Sequence, residues 1–66
     1  MKIILNGVEK TIREPLTVAE LLADLAIDEG RVVVERNLHI VPRDEFARTN
    51  LEEGDHLELL NLVSGG

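Results

Sequence analysis

Val63-Ser64-Gly65-Gly66 is the stretch of this 66-residue sequence whose residue types best suit chemistry, because it follows an apolar run and finishes on two glycines. Glycine has no side chain to block a narrow channel and adopts whatever backbone conformation an enzyme demands, so a carboxylate on Gly66 would be an accessible substrate. A carboxylate is a poor acyl donor, since its charge is delocalised and its leaving group is oxide. Adenylation with ATP would convert it into a mixed anhydride. Attack by a sulfur nucleophile would then leave the chain ending in a thiocarboxylate. The plain alternative is a frayed terminus of small polar residues.

The other reactive groups are few. Ser64, three Thr, two Lys and no Cys make up the nucleophiles, and none has the context of a nucleophile elbow or a Ser-His-Asp arrangement. His39 and His56 have no metal-ligand spacing and read as surface residues. Gly7, Gly30 and Gly54 are isolated and form no phosphate-cradling loop. A chain this short buries only about 60% of the surface its unfolded form exposes, which leaves little interior for a catalytic pocket. The formal net charge of -6 opposes binding to nucleic acid or to an anionic membrane. No apolar run approaches the roughly 20 residues needed to span a bilayer, and the start lacks a signal-peptide core. A cytoplasmic location is expected. No Lys or Arg occurs beyond Arg48, whereas Glu52, Glu53, Asp55 and Glu58 do; this acidic stretch reads either as a solvated face or as a means of steering a basic partner.

These residues must be positioned by elements the sequence signals clearly. Asn6-Gly7 between apolar segments predicts a two-residue hairpin turn, with Leu5 facing Val8 and Ile3 facing Lys10. Met1, Ile3, Leu5, Val8 and Ile12 then share one face, with Lys10 as the misfit. Thr17 and Glu20 have capping-box spacing and Leu16 can staple against Leu21, so a helix starts there. Val18, Leu21, Leu22 and Leu25 give it one apolar stripe of about three turns. Gly30 offers a stop, although the helix can end nearer Ala26, because Asp28 and Glu29 suit a helix C-terminus badly. Val32-Val33-Val34 predicts a strand, Glu35-Arg36-Asn37 leads to a turn, and Ile40-Val41 is a second short run ended by Pro42. Arg43 to Asn50 reads as a helical turn or loop held by Phe46. Glu53-Gly54-Asp55 is a turn feeding a final strand, His56 to Val63.

Hairpin, helix, short strands and a final strand make an α+β arrangement. A β-grasp (ubiquitin-like) roll fits best, with a mixed four- to five-stranded sheet and one main helix; a ferredoxin-like fold ranks second because it wants another helix. Residues 1-63 form the domain and 64-66 a flexible Ser-Gly-Gly tail. Alternation along the last strand predicts Leu57, Leu59, Asn61 and Val63 toward the helix, and His56, Glu58, Leu60 and Leu62 on the open face. Leu60 and Leu62, joined by Ile4, are the expected partner-binding patch beside the tail.

Ile40-Val41-Pro42-Arg43, Phe46 three residues on, Gly54-Asp55 before an apolar strand, and Gly65-Gly66 together resemble the ThiS family of sulfur carriers across essentially the whole sequence. Ser64 stands where relatives often carry Gly or a small apolar residue. The resemblance implies a β-grasp fold and a protein that is a co-substrate rather than an enzyme. It also implies that Gly66 is adenylated by an E1-like enzyme, which uses the ATP, and is converted to a thiocarboxylate. A sulfur donor protein supplies the sulfur, which passes to thiazole synthase for the thiazole of thiamine. No bound cofactor and no metal are implied. The absence of Cys fits, since sulfur could not travel here as a side-chain persulfide. The small subunit of molybdopterin synthase, a ubiquitin-like modifier, and a β-grasp binding module with an inert tail are the alternatives.

Overall fold

A computed structural model describes residues 1–62; Val63, Ser64, Gly65 and Gly66 lie outside the described residues. Strands β1 (Lys2–Leu5) and β2 (Val8–Thr11) form the N-terminal hairpin, in the register Leu5 with Val8 and Ile3 with Lys10. Asn6 and Gly7 have φ of 49° and 81°. Positive φ at both central residues is what a type I′ turn requires, and its twist matches that of the strands it joins. Val8 shares the face of Ile3 and Leu5, as this register requires, but it is not covered there. Val8 is 67% exposed, because β2 is an edge strand and all four of its residues lie beyond the cover of the helix.

Helix α1 (Val18–Asp24) begins at Thr17 with the full capping box. Glu20 N–H donates to Thr17 Oγ1 at 3.1 Å, and Thr17 N–H donates to Glu20 Oε1 at 2.9 Å, so two of the donors orphaned at a helix start are satisfied. Leu16 and Leu21 are both buried, as a staple across this cap requires. The helix is seven residues long, shorter than its apolar stripe suggests. Ala26 N–H donates to Ala23 C=O and Ile27 N–H to Leu22 C=O, while Ala26 has φ of 57°. This is a Schellman termination with alanine in the left-handed position, and Ile27 packs against the core just beyond it. The apolar periodicity runs on through Leu25, but the capping bonds close the helix before it can add another turn.

Strands β3 (Val32–Arg36) and β4 (His39–Val41) form a second hairpin, and its turn residues Asn37 and Leu38 have φ of 51° and 72°. Pro42 ends β4 and precedes a 3₁₀ segment, Arg43–Arg48, which buries Phe46. Gly54, at φ 83°, turns the chain into β5 (His56–Asn61). The sheet order is β2-β1-β5-β3-β4. The last strand is thus central, parallel to β1 and antiparallel to β3. One helix across a mixed five-stranded sheet of this order is a β-grasp roll. Its core joins Ile3, Leu57, Val32 and Val34 from the sheet to Leu16, Val18, Leu21 and Leu22 around the helix, closed by Phe46 and Leu51. Hydrogen bonds from Val18 N–H to Thr49 C=O and from Leu51 N–H to Leu16 C=O tie the Phe46 segment to the helix entry.

Candidate functional site

The site begins where β5 leaves the sheet. The predicted reactive residue Gly66, with Gly65 and Ser64, lies outside the described residues, and the structure carries the strand as far as Leu62, whose N–H donates to Arg31 C=O at 2.6 Å. This bond extends the β3–β5 pairing past the last ladder pair, Val32 with Asn61. Leu60, Asn61 and Leu62 are thereby held to the centre of the sheet.

Side chains alternate along β5, and Leu57 is buried while His56, Glu58, Leu60 and Leu62 are exposed. Leu60 is 58% and Leu62 55% exposed, and Ile40 of β4 joins them on the open face at 67%. Val33, the register partner of Leu60, is half-buried there. The structure therefore brings Leu60 and Leu62 together and adds Ile40 and Val33. Ile4 is on the same face but away from this patch. It pairs with His56, four residues before Leu60, and four residues of strand span about 13 Å.

The acidic stretch is not one solvated face. Asp55 is 5% exposed and accepts three hydrogen bonds: from Arg36 Nε at 2.8 Å, Asn37 Nδ2 at 3.1 Å and Glu52 N–H at 2.8 Å. Burial opposes its ionisation, but the bonds from Arg36, the Glu52 backbone and Asn37 outweigh that, so its pKa lies below the ordinary value. The Asp55 hydrogen bond in turn raises the Arg36 pKa against the opposing effect of burial, and Arg36 Nη2 also reaches Glu52 at 3.0 Å. Asn37 completes the knot, its Oδ1 accepting from His56 N–H at 2.9 Å. Asp55 and Glu52 are thus structural, fixing the β3–β4 turn to the start of β5. A reading of the sequence missed this because Arg36 and Asp55 are 19 residues apart and sit in segments that look like ordinary polar turns. The available signal was Asn37 beside Arg36 at a turn, since Asn is the residue type most able to take left-handed backbone while bonding sideways.

His39 and His56 are not brought together for chemistry. His39 Nδ1 lies 3.0 Å from Asn37 C=O, and no group of three His, Asp or Glu suited to a metal occurs among the described residues. A groove of about 380 Å³ between β4 and the 3₁₀ segment is lined by Ile40, Val41, Pro42 and Glu45 among others. No buried side-chain polar atom is left without a partner among the described residues. No helix among the described residues is long and apolar enough to cross a membrane. What this geometry offers is an apolar face on a central strand, His56–Asn61, that lies just ahead of Ser64-Gly65-Gly66 in the sequence.

The sequence profile of the ThiS family matches residues 3–66. The chain belongs to the ThiS family. It is 32% identical over 63 residues to the sulfur carrier protein ThiS of Bacillus subtilis, covering 94% of this chain and 96% of that one. The crystal structure of the thiamine biosynthesis protein ThiS from Geobacter metallireducens superposes with a TM-score of 0.85 at 35% identity over the full length of both chains. A thiazole synthase from Paramagnetospirillum magneticum is 41% identical over 66 residues, all of this chain but 20% of that protein. The chain thus spans about a fifth of the length of this thiazole synthase and nearly all of the Bacillus protein.

Proposed function

We propose that this chain is a sulfur carrier in thiamine biosynthesis and that Gly66 is the residue that bears the sulfur. The observation that carries this reading is the ThiS family match running through Gly65 and Gly66, on a chain that covers 96% of a relative named as a sulfur carrier. An E1-like enzyme transfers AMP from ATP to the Gly66 carboxylate and releases pyrophosphate. Hydrosulfide supplied by way of a donor protein then attacks the acyl carbon, forming the C–S bond as the C–O bond to AMP breaks, and leaves a thiocarboxylate, AMP and a proton. Thiazole synthase accepts the sulfur, a role supported by the relative of that name in which a fifth of the length resembles this chain. The chain is a co-substrate in these steps, holds no cofactor of its own, and works in the cytoplasm where ATP is made available. Its own contribution is placement: β5 holds the root of the tail, glycines let it thread a narrow channel, and Leu60 and Leu62 beside it seat the partner.

Intact mass measured after co-expression with the adenylating enzyme and a sulfur source tests this. The expected product is the chain with one oxygen replaced by sulfur, and removal of Gly66 or addition of a residue after it should abolish that change while leaving the thermal midpoint unaltered. A thiocarboxylate on the untrimmed extended chain would refute the terminal-acyl mechanism. A covalent adduct on another protein would point instead to a modifier.

A further inference from the structure

The open face of the sheet holds two carboxylates that lie within 4.0 Å of no Lys or Arg nitrogen among the described residues. Glu35 of β3 and Glu58 of β5 are directly opposed in the antiparallel register. Side chains so placed have Cβ atoms about 4.5–5.5 Å apart, and like charges there work against folding. Glu9, Asp24, Asp28, Glu45, Glu52 and Asp55 each lie within 4.0 Å of a Lys or Arg nitrogen, whereas Glu14, Glu20, Glu29, Asp44 and Glu53 do not; what sets Glu35 and Glu58 apart is that they face each other across the ladder. Glu35 and Glu58 take part in no such pair among the described residues, and Glu35 is half-buried all the same. Apolar groups frame them. Ile40 is the register partner of Glu35 on β4, the Val33–Leu60 pair lies next along both strands, and Leu62 follows, with Ile40, Leu60 and Leu62 each more than half exposed.

We propose that this face docks a basic, apolar-rimmed patch of the adenylating enzyme, and that one arginine of that enzyme is received between Glu35 and Glu58. The inference rests on the carrier reading above and specifies its partner surface. Charge complementarity selects the occupant. A second copy of this chain would oppose the same two acids to themselves, at a net charge of -6 on each copy. A hard cation such as calcium wants about six to eight oxygen ligands, which two side chains do not provide. A guanidinium suits the gap because its planar fork of five donors serves two carboxylates at once and is weakly hydrated, whereas an ammonium is a compact point charge. The leucine and isoleucine rim excludes water from the contact and so strengthens the attraction. Glu35 and Glu58 are thus specificity-determining residues, and their mutual repulsion in the free chain is relieved on docking.

The test is the affinity of the 66-residue chain for the adenylating enzyme, measured by calorimetry from low to high salt. The variant is Glu35→Gln with Glu58→Gln, and a control removes the same charge outside the sheet with Glu29→Gln and Asp44→Asn. The double sheet variant should bind at least about tenfold more weakly at low salt with a flattened salt dependence, and should melt at the same or a higher temperature because a like-charge pair is gone. The control should change affinity less than about threefold, as expected for remote, screened charges. Leu60→Ser with Leu62→Ser should weaken binding at every salt concentration without flattening its slope. Unchanged binding of the Glu35/Glu58 variant, a loss no larger than the control's, or a lowered melting temperature would overturn the inference, and thiocarboxylate formation on Gly66 of that same variant would show that the carrier reading survives it. Failure of the unaltered chain to be adenylated would overturn the carrier reading, and this inference with it.

Discussion

Replacing Asp55 by Asn keeps the side-chain shape and removes one charge, which makes it a clean probe of the knot beneath the β3–β4 turn. Asp55 accepts from Arg36 Nε, Asn37 Nδ2 and Glu52 N–H at 2.8 to 3.1 Å, and its side chain is 6% exposed. An asparagine offers one acceptor oxygen there and turns an amide donor toward groups that are themselves donors. Hydrogen bonds to a charged group contribute about 1.5–3 kcal/mol each, and a buried donor left unsatisfied costs about 1–3 kcal/mol. Arg36 keeps Glu52 at 3.0 Å and stays partly solvated, so the loss should fall at about 2–3 kcal/mol rather than the sum of three bonds. A domain of this length has a total stability of roughly 3–10 kcal/mol, and the thermal midpoint should drop by roughly 10–20 °C. The pH dependence identifies the cause. Because the folded pKa is depressed, the Asp55 contribution is present above the unfolded aspartate pKa of about 3.9 and is lost as pH falls through the folded value. Urea unfolding from neutral pH down to pH 2 should therefore show the unaltered chain converging on the Asn variant in acid. A constant gap between the two at all pH values, or a gap below 0.5 kcal/mol at neutral pH, would refute the assignment of the knot to an ionised Asp55.

Phe46 is 2% exposed on the 3₁₀ segment that closes the core, so Phe46→Ala should cost about 3–5 kcal/mol, read as a fall in the denaturation midpoint; an unchanged midpoint would move the ring to the surface. Two left-handed residues give gains instead. Ala26→Gly relieves the Schellman position at φ 57°, and Leu38→Gly relieves φ 72° at a side chain that is 90% exposed; each should add about 0.5–1 kcal/mol, the left-handed penalty less the greater unfolded-state freedom of glycine, and both are checked by chemical denaturation.

Wherever a turn or cap is made by local chemistry, this fold could be read before it was seen. Asn6-Gly7 supplies positive φ at two successive positions, and that alone sets the register that pairs Leu5 with Val8. Thr17 and Glu20 mark the helix start for the same reason, since each satisfies the other's backbone donor within one turn. The second hairpin was less legible because Leu38 is a poor left-handed residue; its conformation is imposed by Asn37, which is fixed from outside the turn by Asp55 and His56. Val8 is on the face that alternation assigns it and is nevertheless exposed, because parity says which side a residue points to and not whether an element covers it. Of the candidate site, the direction of Leu60 and Leu62 followed from alternation alone. The opposition of Glu35 and Glu58 did not, because it depends on a pairing between strands separated by the β3–β4 turn and the 3₁₀ segment. Local sequence therefore determines which side chains leave the sheet beside the tail, whereas the pairing of distant strands determines which of those side chains meet. A partner that reads this face would sense both at once, and an altered β3–β5 register would present it with separated charges even if every exposed side chain remained exposed.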